Sequence, residues 1–81
     1  MRAYLYPWEK LVINDRHSYK RRVHNGGVYF VVHSANQWWA WNADTCESIP
    51  YETAEEAMNA YDDCLRKLGY ILLTEETMLL L

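Results

Sequence analysis

The segment Tyr19-Lys-Arg-Arg-Val-His-Asn-Gly-Gly-Val-Tyr-Phe-Val-Val-His33 constrains the fold of this 81-residue chain more than any other. Strand-forming residues flank Gly26-Gly27, and a two-residue turn at such a pair closes a β-hairpin. With that turn, Asn25 pairs with Val28, His24 with Tyr29, Arg22 with Val31 and Lys20 with His33. Side chains alternate across a strand, so Lys20, Arg22, His24, Tyr29 and His33 would share one face with Val31. Tyr19, Val23, Val28, Phe30 and Val32 would share the other, where Arg21 and Asn25 are the polar exceptions. The expectation is a half-buried sheet with an apolar back on the core and a basic, aromatic front in solvent.

Size and composition narrow what such a sheet can belong to. Residues 1–81 make a single domain, and a domain this small buries only about 60% of its unfolded surface, which disfavours a deep catalytic cleft. With 51% hydrophobic and 15% aromatic residues the chain has enough large side chains for a core and is too apolar for a disordered acidic tail. Cys46 and Cys64 lack Cys-x-x-Cys spacing, so neither a disulfide framework nor a zinc knuckle is indicated and a reducing cytoplasm is expected. No segment reaches the roughly 18 apolar residues of a membrane span, and the first ten residues lack a secretion signal's apolar stretch. Net charge is −3 but unevenly spread: residues 1–33 carry +4 and residues 34–81 carry −7. Either pole could steer a charged partner.

Around the hairpin, Pro7 permits a short edge strand on either side of itself, with Trp8 to Ile13 the better candidate. Asn14–Ser18 reads as a turn, Ser34–Gln37 as a link, Trp38–Asn42 as a further antiparallel strand and Asp44–Ser48 as a loop leaving the sheet. Thr53 and Glu56 form an S/T-x-x-E capping box, with Glu55 also in the first turn, so a helix should begin at Ala54 and run to Leu68. Ala54, Ala57, Met58, Tyr61, Cys64, Leu65 and Leu68 recur at helical spacing, and Gly69 suits the left-handed position after the helix. This apolar face should pack on the hairpin's back. Its outer face, Glu55, Glu56, Asn59, Asp62, Asp63, Arg66 and Lys67, reads as solvated, with Asp62–Arg66 and Asp63–Lys67 pairs. Tyr70–Leu73 suits a short last strand. Met78-Leu79-Leu80-Leu81 is an apolar end that needs cover from the same chain or from a second copy in a homodimer. The fold class expected is α+β: a three- to four-stranded antiparallel sheet with one amphipathic helix on one face, in the order β-β-β-α, with a short C-terminal strand.

No residue pattern calls for catalysis, a metal or a cofactor. A Cys–His nucleophile needs a pair within hydrogen-bond reach and a third group to orient the base, which no spacing here demands. Cys64 falls on the helix's apolar face as a small hydrophobe. His24 and His33 stand too far apart on the hairpin to share an ion, and Gly26-Gly27 is explained as a turn rather than a phosphate loop. Binding is the stronger reading. Lys20, Arg22 and His24 can meet phosphates, Tyr29 or an exposed tryptophan can stack on a base, and of Trp38, Trp39 and Trp41 one left exposed beside arginine and tyrosine would anchor a protein partner. Alternation sets Trp39 and Trp41 on one face and Trp38 on the other.

The strands followed by a helix opening at Tyr51-Glu-Thr-Ala-Glu-Glu-Ala57 resemble the arm-type DNA-binding domains of phage integrases over residues 19–69. The chain departs from them in its acidic total and in carrying no catalytic domain after that helix. In size, aromatic richness and lack of a catalytic motif it is also similar to small phage-encoded inhibitors, anti-CRISPR proteins among them, which act by occupying surfaces. Those resemblances imply a non-enzymatic viral protein in the host cytoplasm that inhibits a host protein or ribonucleoprotein complex; they carry no residue over, and it is the hairpin and tryptophan patterns that set the expected contact at Lys20, Arg22, His24, Tyr29, His33 and Trp38. The alternative they imply is a DNA- or RNA-binding accessory domain using the same face.

Overall fold

The computed structural model describes residues 4–24 and 26–73. Its elements run β1 (Tyr4–Leu5), β2 (Glu9–Ile13), β3 (Arg16–Arg22), β4 (Val28–Ser34), β5 (Gln37–Asn42), β6 (Glu47–Tyr51), α1 (Ala54–Lys67) and β7 (Ile71–Leu72). Strands β2 to β6 form one antiparallel meander in chain order, and α1 lies across one face of it. The α+β class is as expected, but the sheet has five strands rather than three or four. The fifth, β6, begins inside the segment read as a loop. Glu47 and Ser48 at its start and Pro50 within it obscured it, although proline is tolerated in a strand at a sheet edge. The loop before it is shortened by Asn42, whose Oδ1 accepts from the Asp44 N–H at 2.9 Å and the Thr45 N–H at 3.4 Å. Cys46, at φ 55°, then turns the chain back.

The other hairpins use two-residue turns. Asn14-Asp15 joins β2 to β3 and Ala35-Asn36 joins β4 to β5, with all four residues left-handed, as the mirror-image turns favoured in hairpins require. The connection at Gly26-Gly27 is different. Arg22 pairs with Val28, Lys20 with Phe30 and Ser18 with Val32, while Arg21 pairs with Tyr29 and Tyr19 with Val31. A longer loop joins Arg22 to Val28, in which the Val23 N–H donates to the Gly27 carbonyl at 2.7 Å and the Gly26 N–H donates to the Val23 carbonyl at 2.9 Å. Compared with a two-residue turn, β4 is displaced by three residues against β3. An odd displacement exchanges the two faces of a strand. Tyr29 and Val31 therefore turn toward α1, and Val28, Phe30 and Val32 turn away, the reverse of the expectation.

Pro7 marks a bulge. The Tyr6 N–H donates to the Arg22 carbonyl, the His24 N–H donates to the Tyr4 carbonyl, both at 2.8 Å, and Leu5 bridges Val23. Residues 4–6 thus run along the same edge of β3 that β2 occupies, and Pro7 with Trp8 stands opposite Arg21 alone, two residues against one. On the far side of β1, β7 pairs with it in parallel, Tyr4 with Ile71 and Leu5 with Leu72. Strands on both sides of Pro7 agree with the sequence, as does a short strand within Tyr70–Leu73.

The helix begins and ends as its signals dictate. The Thr53 hydroxyl accepts from the Glu56 N–H at 3.2 Å, and Gly69 takes φ 95° just past the C-cap Leu68. Ala57, Tyr61 and Leu65 are buried against Leu5, Val23, Val31 and Ala40, which form the core. Leu68, expected on that face, is exposed. Met78–Leu81 lie outside the described residues.

Candidate functional site

With the helix on one side, no described element covers the opposite side of the sheet. The register sets Leu11, Ser18, Val32, Trp39 and Pro50 in one row across all five strands. A second row runs Glu9, Lys20 and Phe30, with Arg22 opposite Val28 next to it and Trp41 two residues along β5 from Trp39. Phe30 is 48% exposed and Trp41 45%, with Val28 and Val32 also exposed. The solvent face of an antiparallel sheet ordinarily alternates to polar residues. Here aromatic and branched side chains hold those positions along β4 and at Trp39 and Trp41.

Of the cations on this face, Lys20 and Arg22 are paired with Glu9, while Arg16, opposite Ile13, is exposed. Glu9 Oε1 accepts from Arg22 Nη2 at 2.9 Å, and Glu9 Oε2 lies 3.7 Å from Lys20 Nζ. The Arg22 guanidinium also sits 5.2 Å from the centre of the Tyr6 ring. One carboxylate is thus shared between two cations at the margin of an apolar surface and offsets only part of their charge.

Of the six residues expected to form one binding face, Lys20 and Arg22 lie on this surface. The other four do not. His24 lies beyond the end of β3, its Nδ1 2.8 Å from the Tyr6 hydroxyl and its ring against Tyr4 and Tyr6. Tyr29 is on the helix side, in ring contact with Tyr61 and Tyr70 and hydrogen-bonded to the Tyr70 hydroxyl at 2.7 Å. His33 and Trp38 are also on the helix side, their rings 4.7 Å apart, with Trp38 packed on Tyr19. The odd register displacement of β4 separates Tyr29 and His33 from Lys20 and Arg22. Trp39 and Trp41 do share a face opposite to Trp38, as alternation indicates.

Val28, Phe30 and Val32 were missed because the β4 segment is apolar at nearly every position, so periodicity alone does not say which half is buried. A polar constellation on the helix side was missed as well. Arg21 is only 4% exposed; its Nη1 lies 3.4 Å from Asp62 Oδ1, and its guanidinium is 5.5 Å from the Trp8 ring. Trp8 Nε1–H donates to the same Asp62 oxygen at 2.9 Å. Asp62 therefore faces the sheet rather than solvent, and Arg66 pairs with Asp63 at 3.1 Å instead. Burial lowers the Arg21 pKa against the pull of Asp62, and burial raises that of Asp62 against the pull of Arg21 and the Trp8 hydrogen bond. The constellation ties β3, the bulge and α1 together.

Burial, then the Tyr70 hydroxyl, pushes the Tyr29 phenol up to about 12, and burial pushes Tyr61 up to about 12. Both phenols hold their protons more tightly folded than unfolded, so the stability they contribute is full below about pH 10 and drains away as pH rises toward 12. An absorbance titration of phenolate should contain a late component that shrinks in Tyr29→Phe and in Tyr61→Phe. Unchanged late titration in both would contradict these environments.

The remaining surface offers little chemistry. Asp15, His17, His33 and Asn36 line an open depression between two hairpin turns. Cys46 and Cys64 are free thiols, far apart in the chain. Among the described residues no three His, Cys, Asp or Glu side chains gather in a metal-binding group, and no helix is long and apolar enough to cross a membrane. No family model, curated protein or solved structure matches the chain.

Proposed function

We propose that this chain is a non-enzymatic binding protein that docks a protein partner on the outer face of its sheet, with Phe30, Trp39 and Trp41 as anchors and Val28, Val32 and Leu11 around them. The observation that carries this reading is the register that turns the apolar half of β4 outward beside two tryptophans. Aromatic anchors ringed by smaller apolar contacts are what concentrate binding energy in protein interfaces. Contiguous exposed apolar surface on a small domain is costly unless something covers it. Because Phe30, Trp41, Val28 and Val32 are exposed there and Lys20 and Arg22 at the margin already engage Glu9, the favoured partner surface is apolar at its centre. The finer reading, an inhibitor in a host cytoplasm that occupies a surface of a nucleic-acid-handling complex, rests on the likeness of the chain's size and character to small phage-encoded inhibitors.

Capture from a bacterial lysate tests this, run with and without nuclease and with Phe30→Ala/Trp41→Ala alongside the unmodified protein. The expected result is one defined protein assembly that survives nuclease and is lost with the double variant, while the variant's melting temperature stays near that of the parent. A second reading is favoured by three outward aromatic rings on an antiparallel sheet beside Lys20 and Arg22, the layout of platforms that stack single-stranded bases. Under that reading capture disappears with nuclease and affinity falls steeply with salt. Capture that the double variant leaves unchanged refutes the proposed face for either ligand.

A further inference from the structure

The five-stranded sheet has two edges, and they differ. At the β6 edge Pro50 removes one N–H from the strand. At the other, β7 covers only the portion before the bulge, where it pairs with Tyr4 and Leu5 and the Leu73 N–H donates to the Leu5 carbonyl at 2.9 Å. Among the described residues no strand lies along the outer edge of Glu9–Ile13. That stretch contains no proline, and its second half is Leu11-Val12-Ile13, with Val12 52% and Ile13 57% exposed. Natural sheets usually guard such an edge, because its free N–H and C=O groups template pairing with another strand.

We infer that β2 is a self-association edge, on which a second copy of this chain adds its own β2 antiparallel to the first. A twofold axis perpendicular to the sheet brings edge to edge and keeps both outer faces on the same side. Only residues on the same side of the strand then pair, which leaves three registers with substantial overlap. Centring on Lys10 sets the two Lys10 ammonium groups opposite each other. Centring on Val12 pairs Lys10 with Asn14, which is left-handed at φ 50° and outside the strand. Centring on Leu11 uses all five residues and sets Leu11 opposite itself, Lys10 opposite Val12 and Glu9 opposite Ile13, with no like charges facing. In that register the Leu11–Ser18–Val32–Trp39–Pro50 row runs into its own image, and the two outer faces become one ten-stranded surface. Five residue pairs bury less than a standard interface, so the dimer is reversible and grows with concentration.

Val12→Lys and Val12→Glu, measured by sedimentation velocity over a concentration series, test both partner and register. Lys at position 12 would face Lys10 of the second copy twice over, raising the dimer dissociation constant by up to about tenfold, and Glu would lower it by a similar factor. Ile13→Lys, which meets Glu9 of the second copy, should also tighten it. Melting temperatures near that of the parent confirm that these exposed positions leave the fold intact. A general effect of added charge would move both Val12 variants the same way, and that outcome overturns the proposal. So does a parent that stays monomeric at every concentration.

Discussion

Asp62→Ala should cost the fold about 3–5 kcal/mol, out of a total that for 81 residues is about 4–12 kcal/mol. The reason is what the substitution leaves behind. Arg21 is buried under α1, its Nε has no hydrogen-bond partner, and Asp62 is the one carboxylate paired with its guanidinium among the described residues. Removing Asp62 strands a cation in the core and leaves the Trp8 indole N–H without its acceptor. The pair itself is another matter. Desolvation moves both groups toward their neutral forms, so ionising them inside the protein is expensive even when they are matched. Arg21→Met combined with Asp62→Leu should therefore recover most of the loss. Urea denaturation of the parent, Asp62→Ala and the double variant checks it; a double variant as unstable as Asp62→Ala would mean that the ion pair supplies geometry an apolar pair cannot.

Val31→Ala and Phe30→Ser, one residue apart, should differ in the opposite sense to what residue size suggests. Val31 is fully buried against α1, and deleting its two methyl groups should cost about 2 kcal/mol once the cavity is included. Phe30 is half-exposed on the outer face, and the more drastic change there should cost less than about 1 kcal/mol. Denaturation midpoints decide it. A larger loss at Phe30 would restore the two-residue turn at Gly26-Gly27 and return Tyr29 and His33 to the side of Lys20 and Arg22.

That contrast shows where the sequence was legible. The helix was, because its signals are local: a threonine three residues before a glutamate, a spaced apolar stripe and a glycine at the end. Tyr19, Arg21 and Val23 were correctly set toward the core, since Tyr19 and Val23 alternate with Lys20 and Arg22 and so mark the two faces. β4 was not legible, because both of its faces are apolar and its orientation depends on a loop length that Gly-Gly suggests wrongly. The candidate site inherited that ambiguity: it kept Lys20 and Arg22 and exchanged its rings for Phe30, Trp39 and Trp41. Asp62 escaped notice for a different reason. Its i,i+4 relation to Arg66 offered a sufficient local partner, whereas the actual one is far away in the chain and reached only through the tertiary fold.

The seam between β1 and β7 also sets an order in time. Every pairing from β2 to β6 joins strands that are neighbours in the chain, so each can form as a short hairpin with little loop entropy to overcome. Tyr4 meets Ile71 only after the chain between them has been gathered in. The meander can thus assemble from its middle outward, with the closing of the seam as the step that waits for the rest. Leu5, buried at that seam, ties completion of the core to the meeting of distant parts of the chain. A nascent chain would hold most of its sheet before it holds its full core.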